Sequence, residues 1–203
     1  MITSYWDRDL TEEEYHILRA FYPEAREMMI KEIQKRSGYS SYERVNHYLG
    51  QLAKKGILFE KKMGRTLVYS VKVETWSAKM GFYLYAGDRA KEFWQKNKDI
   101  CSALKEIPEE ETDIVMIFGS YSKGTQKKES DIDLIIVTSQ KEKIESSIAS
   151  IKRRHGLDIQ AIILPKLEFA KIKKENVELW NDLLNYGVIF KGQELFYYYA
   201  YAA

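Results

Sequence analysis

One segment in the second half of the chain, IVMIFGSYSKGTQKKESDIDLIIV, limits the possible folds most strongly. Its first apolar run predicts a buried strand that ends at Gly119-Ser120, and ten residues later a second apolar run opens with Asp131-Ile132-Asp133. Because alternate side chains of a strand share a face, Asp131 and Asp133 are expected to project to the same side of the sheet. The segment therefore predicts two strands that bring a glycine-containing turn and a carboxylate pair into one site.

The carboxylate pair and the Gly-Ser pair indicate which ligands the site can bind. Two carboxylates at this spacing suit Mg²⁺ or Mn²⁺, with triphosphate oxygens and waters completing the octahedral coordination. Gly119 has no side chain, so backbone N–H groups and the Ser120 hydroxyl can approach a phosphate closely. We therefore expect a site for a metal ion and a nucleoside triphosphate.

A third carboxylate, Asp158, stands near the start of LDIQAIIL, a strand expected to lie beside the one with the pair. Three carboxylates on adjacent strands can build a two-metal site, in which one ion activates an attacking hydroxyl and the other neutralises triphosphate charge. Asp158 would lie nearest that hydroxyl and could take its proton. A P-loop is excluded, because Thr125 stands where G-x-x-x-x-G-K-[ST] requires lysine.

At these residues the chain resembles the minimal nucleotidyltransferase (MNT) family of the DNA polymerase beta superfamily, whose signature is G-S, ten residues and D-x-D. The resemblance covers roughly Glu111 to Phe196, and NYGVIFKGQEL resembles the short strand and helix that close such domains. It implies phosphate binding by Gly119, Ser120 and Lys123, metal ligation and catalysis by Asp131 and Asp133, and a third catalytic and metal-binding carboxylate at Asp158.

The first part of the chain has a different pattern. A first helix is predicted from Thr11, where Thr11 and Glu14 have the spacing of a capping box, and a second over Glu24 to Arg36, with Met29, Ile30 and Ile33 facing inward. A third is predicted from Ser40 or Ser41 to Lys54-Lys55-Gly56, with an apolar face of Val45, Tyr48, Leu49, Leu52 and Ala53. ILFEKKMGRTLVYSVKV predicts a hairpin with its turn at Met63-Gly64-Arg65. Three helices followed by a hairpin resemble the winged helix-turn-helix of DNA-binding regulators.

Charge supports that resemblance. Residues 31–72 hold ten basic and three acidic residues, net +7, whereas the first 30 residues hold three basic and seven acidic, net −4. The predicted DNA contacts are Arg44, Asn46, His47 and Gln51 on the third helix and Lys61, Lys62 and Arg65 on the wing. A basic face that is merely solvated, or a protein-docking winged helix, remains the alternative.

The expected fold class is α/β (α+β), in three parts. Residues 1–74 form the winged helix, 75–110 form connecting helices interrupted at Gly81 and Gly87-Asp88, and 111–203 form a polymerase-beta-like nucleotidyltransferase domain with a mixed sheet. A single cysteine, Cys101, excludes a disulfide framework, and the absence of a signal peptide or an 18-residue apolar run predicts a cytoplasmic protein without membrane contact. The terminal stripe of Leu195, Tyr198, Tyr199 and Ala202 could fold back or pair two copies, and a homodimer is slightly favoured.

The expected reaction is transfer of a nucleoside monophosphate, AMP from ATP, to a hydroxyl. Some MNT members are antitoxins that adenylylate a tyrosine of a HEPN-type toxin, so the resemblance implies a toxin–antitoxin role with such a toxin as partner and acceptor. A small-molecule acceptor remains open. The alternative is a DNA-binding transcriptional regulator whose nucleotidyltransferase-like domain senses nucleotide without catalysis.

Overall fold

The structure is a computed structural model that describes residues 10–201. The chain divides into two compact units, Met1–Tyr85 and Ala86–Ala203. Nothing in this division tests the predicted boundaries at residues 74 and 110, which stay predictions. No helix within the described residues is both long and apolar enough to cross a membrane.

From residue 10 onward, the N-terminal unit contains three complete helices, the first part of a fourth and a small antiparallel sheet. Its elements are α1 (Glu12–Arg19), β1 (Met28–Met29), α2 (Ile30–Ser37), α3 (Tyr42–Lys54), β2 (Leu58–Met63) and β3 (Thr66–Val71), with strand order β1-β3-β2. Thr11 and Glu14 form the predicted capping box of α1, and the Ser41 side chain caps α3. Val45, Leu49 and Leu52 of α3 are fully buried, so the predicted amphipathic face points into the core.

The predicted start of the second helix at Glu24 is wrong. Met28 and Met29 are extended and pair with Tyr69 and Val68 of β3, so α2 begins only at Ile30. The same strand geometry buries Met28 and leaves Met29 exposed, where the helical pattern predicted Met29 inside. A long-range strand pairing overrides the local helical pattern here.

Helix α4 (Trp76–Lys96) runs without a break through Gly81 and Gly87, so the predicted interruptions there are wrong. Gly81 has a packing role, since a Cβ at this position would lie 2.2 Å from the Tyr22 hydroxyl oxygen. That hydroxyl donates to the Ala78 carbonyl at 3.0 Å. A short helix, α5 (Lys98–Leu104), follows.

The C-terminal unit is built on a four-stranded sheet of β4 (Ile114–Phe118), β5 (Ile132–Val137), β6 (Ile159–Leu164) and β7 (Val188–Lys191). The strand order is β6-β5-β4-β7; β5 and β6 are parallel, and the other pairs are antiparallel. The predicted mixed sheet is therefore confirmed. The accompanying helices are α6 (Gly119–Lys123), α7 (Lys141–His155), α8 (Lys166–Glu175), α9 (Val177–Tyr186) and α10 (Gln193–Tyr201).

The pattern of PKLEFAKIKKENVELWNDLLNYG predicts one long helix after β6, but the structure has two helices there. Asn176 separates α8 from α9, and its side chain caps α9 by accepting from the Leu179 N–H at 3.0 Å. Helix α10 folds back on this pair, where the Phe196 ring stacks on Trp180 with centroids 5.7 Å apart. Phe196 is buried and Tyr198 is 64% exposed, so the buried face differs from the predicted stripe, of which Ala202 lies outside the described residues.

Candidate active site

The end of β4 and the start of β5 meet at the predicted motif. Phe118, the last residue of β4, lies opposite Asp133 of β5, and the next residue, Gly119, begins α6. Gly119 has φ +68°, and a Cβ there would lie 2.0 Å from Asp133 Oδ2. Glycine is therefore required twice, for its backbone conformation and for the space that the Asp133 carboxylate occupies.

Asp133 is half-buried and lies among other charges. Burial raises its pKa, the negative charges of Asp131 and Asp182 raise it further, and the positive charge of Lys123 acts in the opposite direction. Three carboxylates near one lysine leave an excess of negative charge at this edge of the sheet. A cation would relieve that excess.

The residues present fit a hard divalent ion. Asp131 and Asp133 offer only oxygen ligands, and the missing Cβ of Gly119 leaves room for the Asp133 carboxylate. Within residues 10–201, no group of three or more His, Cys, Asp or Glu side chains lies close enough to hold a metal ion. The chain would therefore contribute two carboxylates, and the remaining ligands would come from substrate and water.

Asp158 stands on the neighbouring strand, as predicted. Asp131 and Asp158 immediately precede Ile132 and Ile159, which are paired, and the Ile132 N–H donates to the Asp158 carbonyl at 2.8 Å. The Asp158 side chain is 65% exposed, and its Oδ1 lies 3.7 Å from Lys152 Nζ. Within residues 10–201 the structure does not bring Asp158 together with Asp131 and Asp133 as the expected three-carboxylate metal cluster.

Ser120 and Lys123 both belong to α6, a helix that Gly124 ends in a left-handed conformation. The Ser120 carbonyl accepts from the Thr125 N–H at 3.0 Å. Lys123 forms an ion pair with Asp182, and its Nζ lies 5.3 Å from the centre of the Tyr186 ring. The predicted phosphate-binding lysine is therefore anchored by α9.

The sequence motif did not include two residues of this arrangement. Asp182 on α9 accepts a hydrogen bond from the Gly119 N–H at 3.3 Å. Arg89 on α4 donates to the carbonyls of Ser122, Asn185 and Tyr186 at 3.4, 3.3 and 2.7 Å. Neither residue is part of a recognisable sequence motif, and Arg89 lies in a segment predicted only to connect domains.

The residues predicted to contact DNA all belong to the N-terminal unit. Arg44, Asn46 and His47 are exposed on α3, and Gln51 is half-buried on the same helix. Lys61, Lys62 and Arg65 are exposed on the β2–β3 hairpin. The Arg44 guanidinium lies over the Tyr39 ring at 4.6 Å, and Lys61 is 3.9 Å from Glu27.

Comparison with known proteins identifies the family. The model of the family described as "Polymerase beta, Nucleotidyltransferase" matches residues 91–194, just over half of the chain. The chain belongs to the polymerase beta nucleotidyltransferase family. Within these residues lie both strands of the motif, all four carboxylates discussed above and Lys123.

This nucleotidyltransferase has a relative in Methanocaldococcus jannaschii, named "Putative protein adenylyltransferase MJ0141". The two are 33% identical over 93 residues, which are 45% of this chain and 87% of the relative. Among solved structures, the crystal structure of a toxin–antitoxin with AMP-PNP is 21% identical, with a TM-score of 0.34, and the match covers 49% of this chain and 79% of that chain.

Proposed function

We propose that this nucleotidyltransferase transfers AMP from ATP to a hydroxyl acceptor and releases pyrophosphate. The acceptor oxygen forms a bond to the α-phosphorus as the bond from that phosphorus to the bridging oxygen of the β-phosphate breaks. The observation that carries this proposal is the Asp131 and Asp133 pair beside Gly119, whose missing side chain leaves room for the Asp133 carboxylate. Family membership supplies the reaction class.

Each site residue then has a role. Asp131 and Asp133 would hold Mg²⁺, which would neutralise triphosphate charge and lower the pKa of the attacking hydroxyl. The Ser120 hydroxyl and Lys123 would bind phosphate oxygens, with Gly119 allowing their close approach. Asp158, exposed on the strand next to Asp131, would accept the proton of the attacking hydroxyl without ligating the metal.

The proposed acceptor is a hydroxyl of a protein, and a tyrosine is the first candidate. The name of the relative from M. jannaschii, a protein adenylyltransferase, supports a protein acceptor. The MNT resemblance adds a HEPN-type toxin as the partner to test first. A small-molecule acceptor is the alternative that the same assay detects.

The test uses ATP labelled on the α-phosphate, Mg²⁺ and either a candidate toxin or a cell lysate. Label should enter an acceptor, whereas label on the γ-phosphate should be released with pyrophosphate. Asp131→Asn and Asp133→Asn should each reduce transfer by at least about 10²-fold, since both ligate the metal. Asp99→Asn, an exposed carboxylate on α5, is the matched control and should transfer normally. Transfer that is unchanged by either site substitution would refute the metal assignment.

We also propose that the N-terminal unit is a winged helix that binds DNA. Support comes from the order of three helices followed by the β2–β3 hairpin, and from the exposure of basic side chains on both α3 and the hairpin. Coupled to the transferase, this unit would allow the protein to regulate its own operon.

DNA binding is tested through its salt dependence. Replacing Arg44, Lys61 and Lys62 together by alanine removes up to three phosphate contacts. The negative slope of the logarithm of the DNA association constant against log[salt] should therefore become shallower by up to about 3. Replacing Lys31 and Lys35 of α2 by alanine is the control in the same unit. If the triple variant binds as the wild type does, the basic face serves protein docking or solvation.

The rival function is a transcriptional regulator that senses nucleotide without transferring it. A wild-type protein that labels no acceptor, yet changes its DNA affinity when ATP is added, would support the rival and refute the transferase proposal.

A further inference from the structure

The carboxylate of Asp182 joins both ends of helix α6. Its Oδ2 accepts from the Gly119 N–H at 3.3 Å, at the first residue of the helix. Its Oδ1 forms an ion pair with Lys123, the last residue of the same helix. One side chain on α9 therefore fixes the segment that is proposed to bind the phosphates.

Arg89 provides a second tie between the same two elements. Its guanidinium donates to the Ser122 carbonyl of α6 and to the Asn185 and Tyr186 carbonyls at the end of α9. A planar guanidinium has five donors in a fixed arrangement, so it can bridge several carbonyls at once. The α6–α9 contact is thus bonded at two separate places.

Helix α9 itself is held firmly in the unit. Trp180 and Leu183 are 5% and 1% exposed, on either side of Asp182 in the sequence. At the end of the helix, a Cβ on Gly187 would lie 2.3 Å from the Leu183 carbonyl oxygen and 2.7 Å from Met116 Sδ. Moving α9 would open this close packing, so Asp182 is presented from a fixed support.

We propose that Asp182 is a positioning residue of the nucleotide site, which aims Lys123 at the triphosphate. A lysine ammonium has three N–H donors, so Lys123 can keep one on Asp182 and direct the others to phosphate oxygens. The Asp182 contact also orders the long lysine side chain before substrate binds, which removes an entropic cost from binding. This inference rests on the proposed function.

The opposite role would be competition. Asp182 is negatively charged, as a phosphate is, and it occupies two donors that a phosphate could use, the Gly119 N–H and the Lys123 ammonium. It could therefore act as an internal competitor that the substrate must displace. The close packing of α9 favours the positioning role, because movement of the helix cannot carry the Asp182 carboxylate away from Lys123. The two roles predict opposite effects on nucleotide affinity.

The experiment measures the dissociation constant of α,β-methylene-ATP with Mg²⁺ by titration calorimetry. Asp182→Asn keeps the shape of the side chain but removes its charge, and should weaken binding about tenfold, as expected for the loss of one charge-assisted interaction. Asp182→Glu restores the charge, and the flexible stem of Lys123 can follow it, so affinity should return to within about threefold of wild type. Glu178→Gln, an exposed acid one turn earlier on α9, should leave affinity unchanged.

A double-mutant cycle separates positioning from a general structural effect. Lys123→Met should also weaken binding, and adding Asp182→Asn to it should weaken binding little further, because the aspartate acts through the lysine. Thermal unfolding of each variant reports any loss of fold independently.

Three results would overturn the inference: tighter binding by Asp182→Asn, which indicates competition, unchanged binding by this variant, or full additivity with Lys123→Met. The proposed function fails in a distinguishable way, since the wild type would then transfer no label from α-labelled ATP to any acceptor, whatever the substitutions do to its affinity for the analogue.

Discussion

Replacing Gly119 by alanine tests the central geometry of the site. Gly119 has φ +68°, and a Cβ there would lie 2.0 Å from Asp133 Oδ2 and 2.8 Å from Asp133 Cγ. Alanine therefore meets two obstacles: a left-handed backbone conformation and the carboxylate of a proposed metal ligand.

The backbone conformation and the overlap with Asp133 each cost stability. A left-handed conformation costs a non-glycine residue about 1–2 kcal/mol. Moving the Asp133 carboxylate out of the overlap adds about 1 kcal/mol, the cost of an unfavourable rotamer. We therefore expect unfolding free energy to fall by about 2–3 kcal/mol. Displacing the carboxylate by about 1 Å should reduce AMP transfer by about 10²-fold.

Gly124→Ala is the matched control. Gly124 ends the same helix with φ +70°, but a Cβ there meets no atom within 4 Å. This variant should carry only the backbone cost of about 1–2 kcal/mol and retain most of the transfer activity. Urea unfolding gives the stabilities, and transfer from α-labelled ATP gives the activities. Equal activity losses in the two variants, or normal activity in Gly119→Ala, would refute the argument that Gly119 makes room for Asp133.

Three further predictions concern single groups. Asp133→Asn should raise the thermal midpoint of the metal-free protein at pH 7, because it removes a carboxylate whose pKa is raised by burial and by neighbouring acids; a lower midpoint would contradict this. Burial alone would raise the pKa of Glu14, but hydrogen bonds from Lys55 and Thr11 lower it below its ordinary 4.5. Lys55→Met should therefore reduce the free energy of unfolding by about 2 kcal/mol at pH 7. This difference between variant and wild type should disappear as the pH falls through the folded-state pKa of Glu14. Burial raises the pKa of Cys101 to about 11, which leaves roughly one thiolate in a thousand at pH 8, so Ellman's reagent should react with it only after unfolding.

The sequence was sufficient for features that depend on local periodicity and local spacing. The capping box at Thr11 and the apolar face of α3 each involve residues close together in the chain, and the structure has them as predicted. The strand predicted at the carboxylate pair is also present, and it begins at Ile132, between Asp131 and Asp133. The mixed sheet was implied by the resemblance to the MNT family, and the structure has it.

Where distant segments meet, the sequence pattern was not sufficient. The pairing of Met28 with Tyr69 replaced a predicted first turn of helix by a strand. Asp158 shares a sheet edge with Asp131, yet its exposed side chain lies near Lys152, a contact that strand periodicity does not encode.

The sequence by itself determined that Gly119-Ser120 follows one buried strand and that Asp131 and Asp133 stand at the start of the next, because apolar runs of this length bounded by polar residues form strands. Only the tertiary structure decided what surrounds them. Asp182 reaches Gly119 and Lys123 across more than fifty residues of sequence, and Arg89 reaches the same helix from α4. Such contacts depend on how whole helices pack on the sheet, and that packing leaves no fixed spacing in the sequence to recognise.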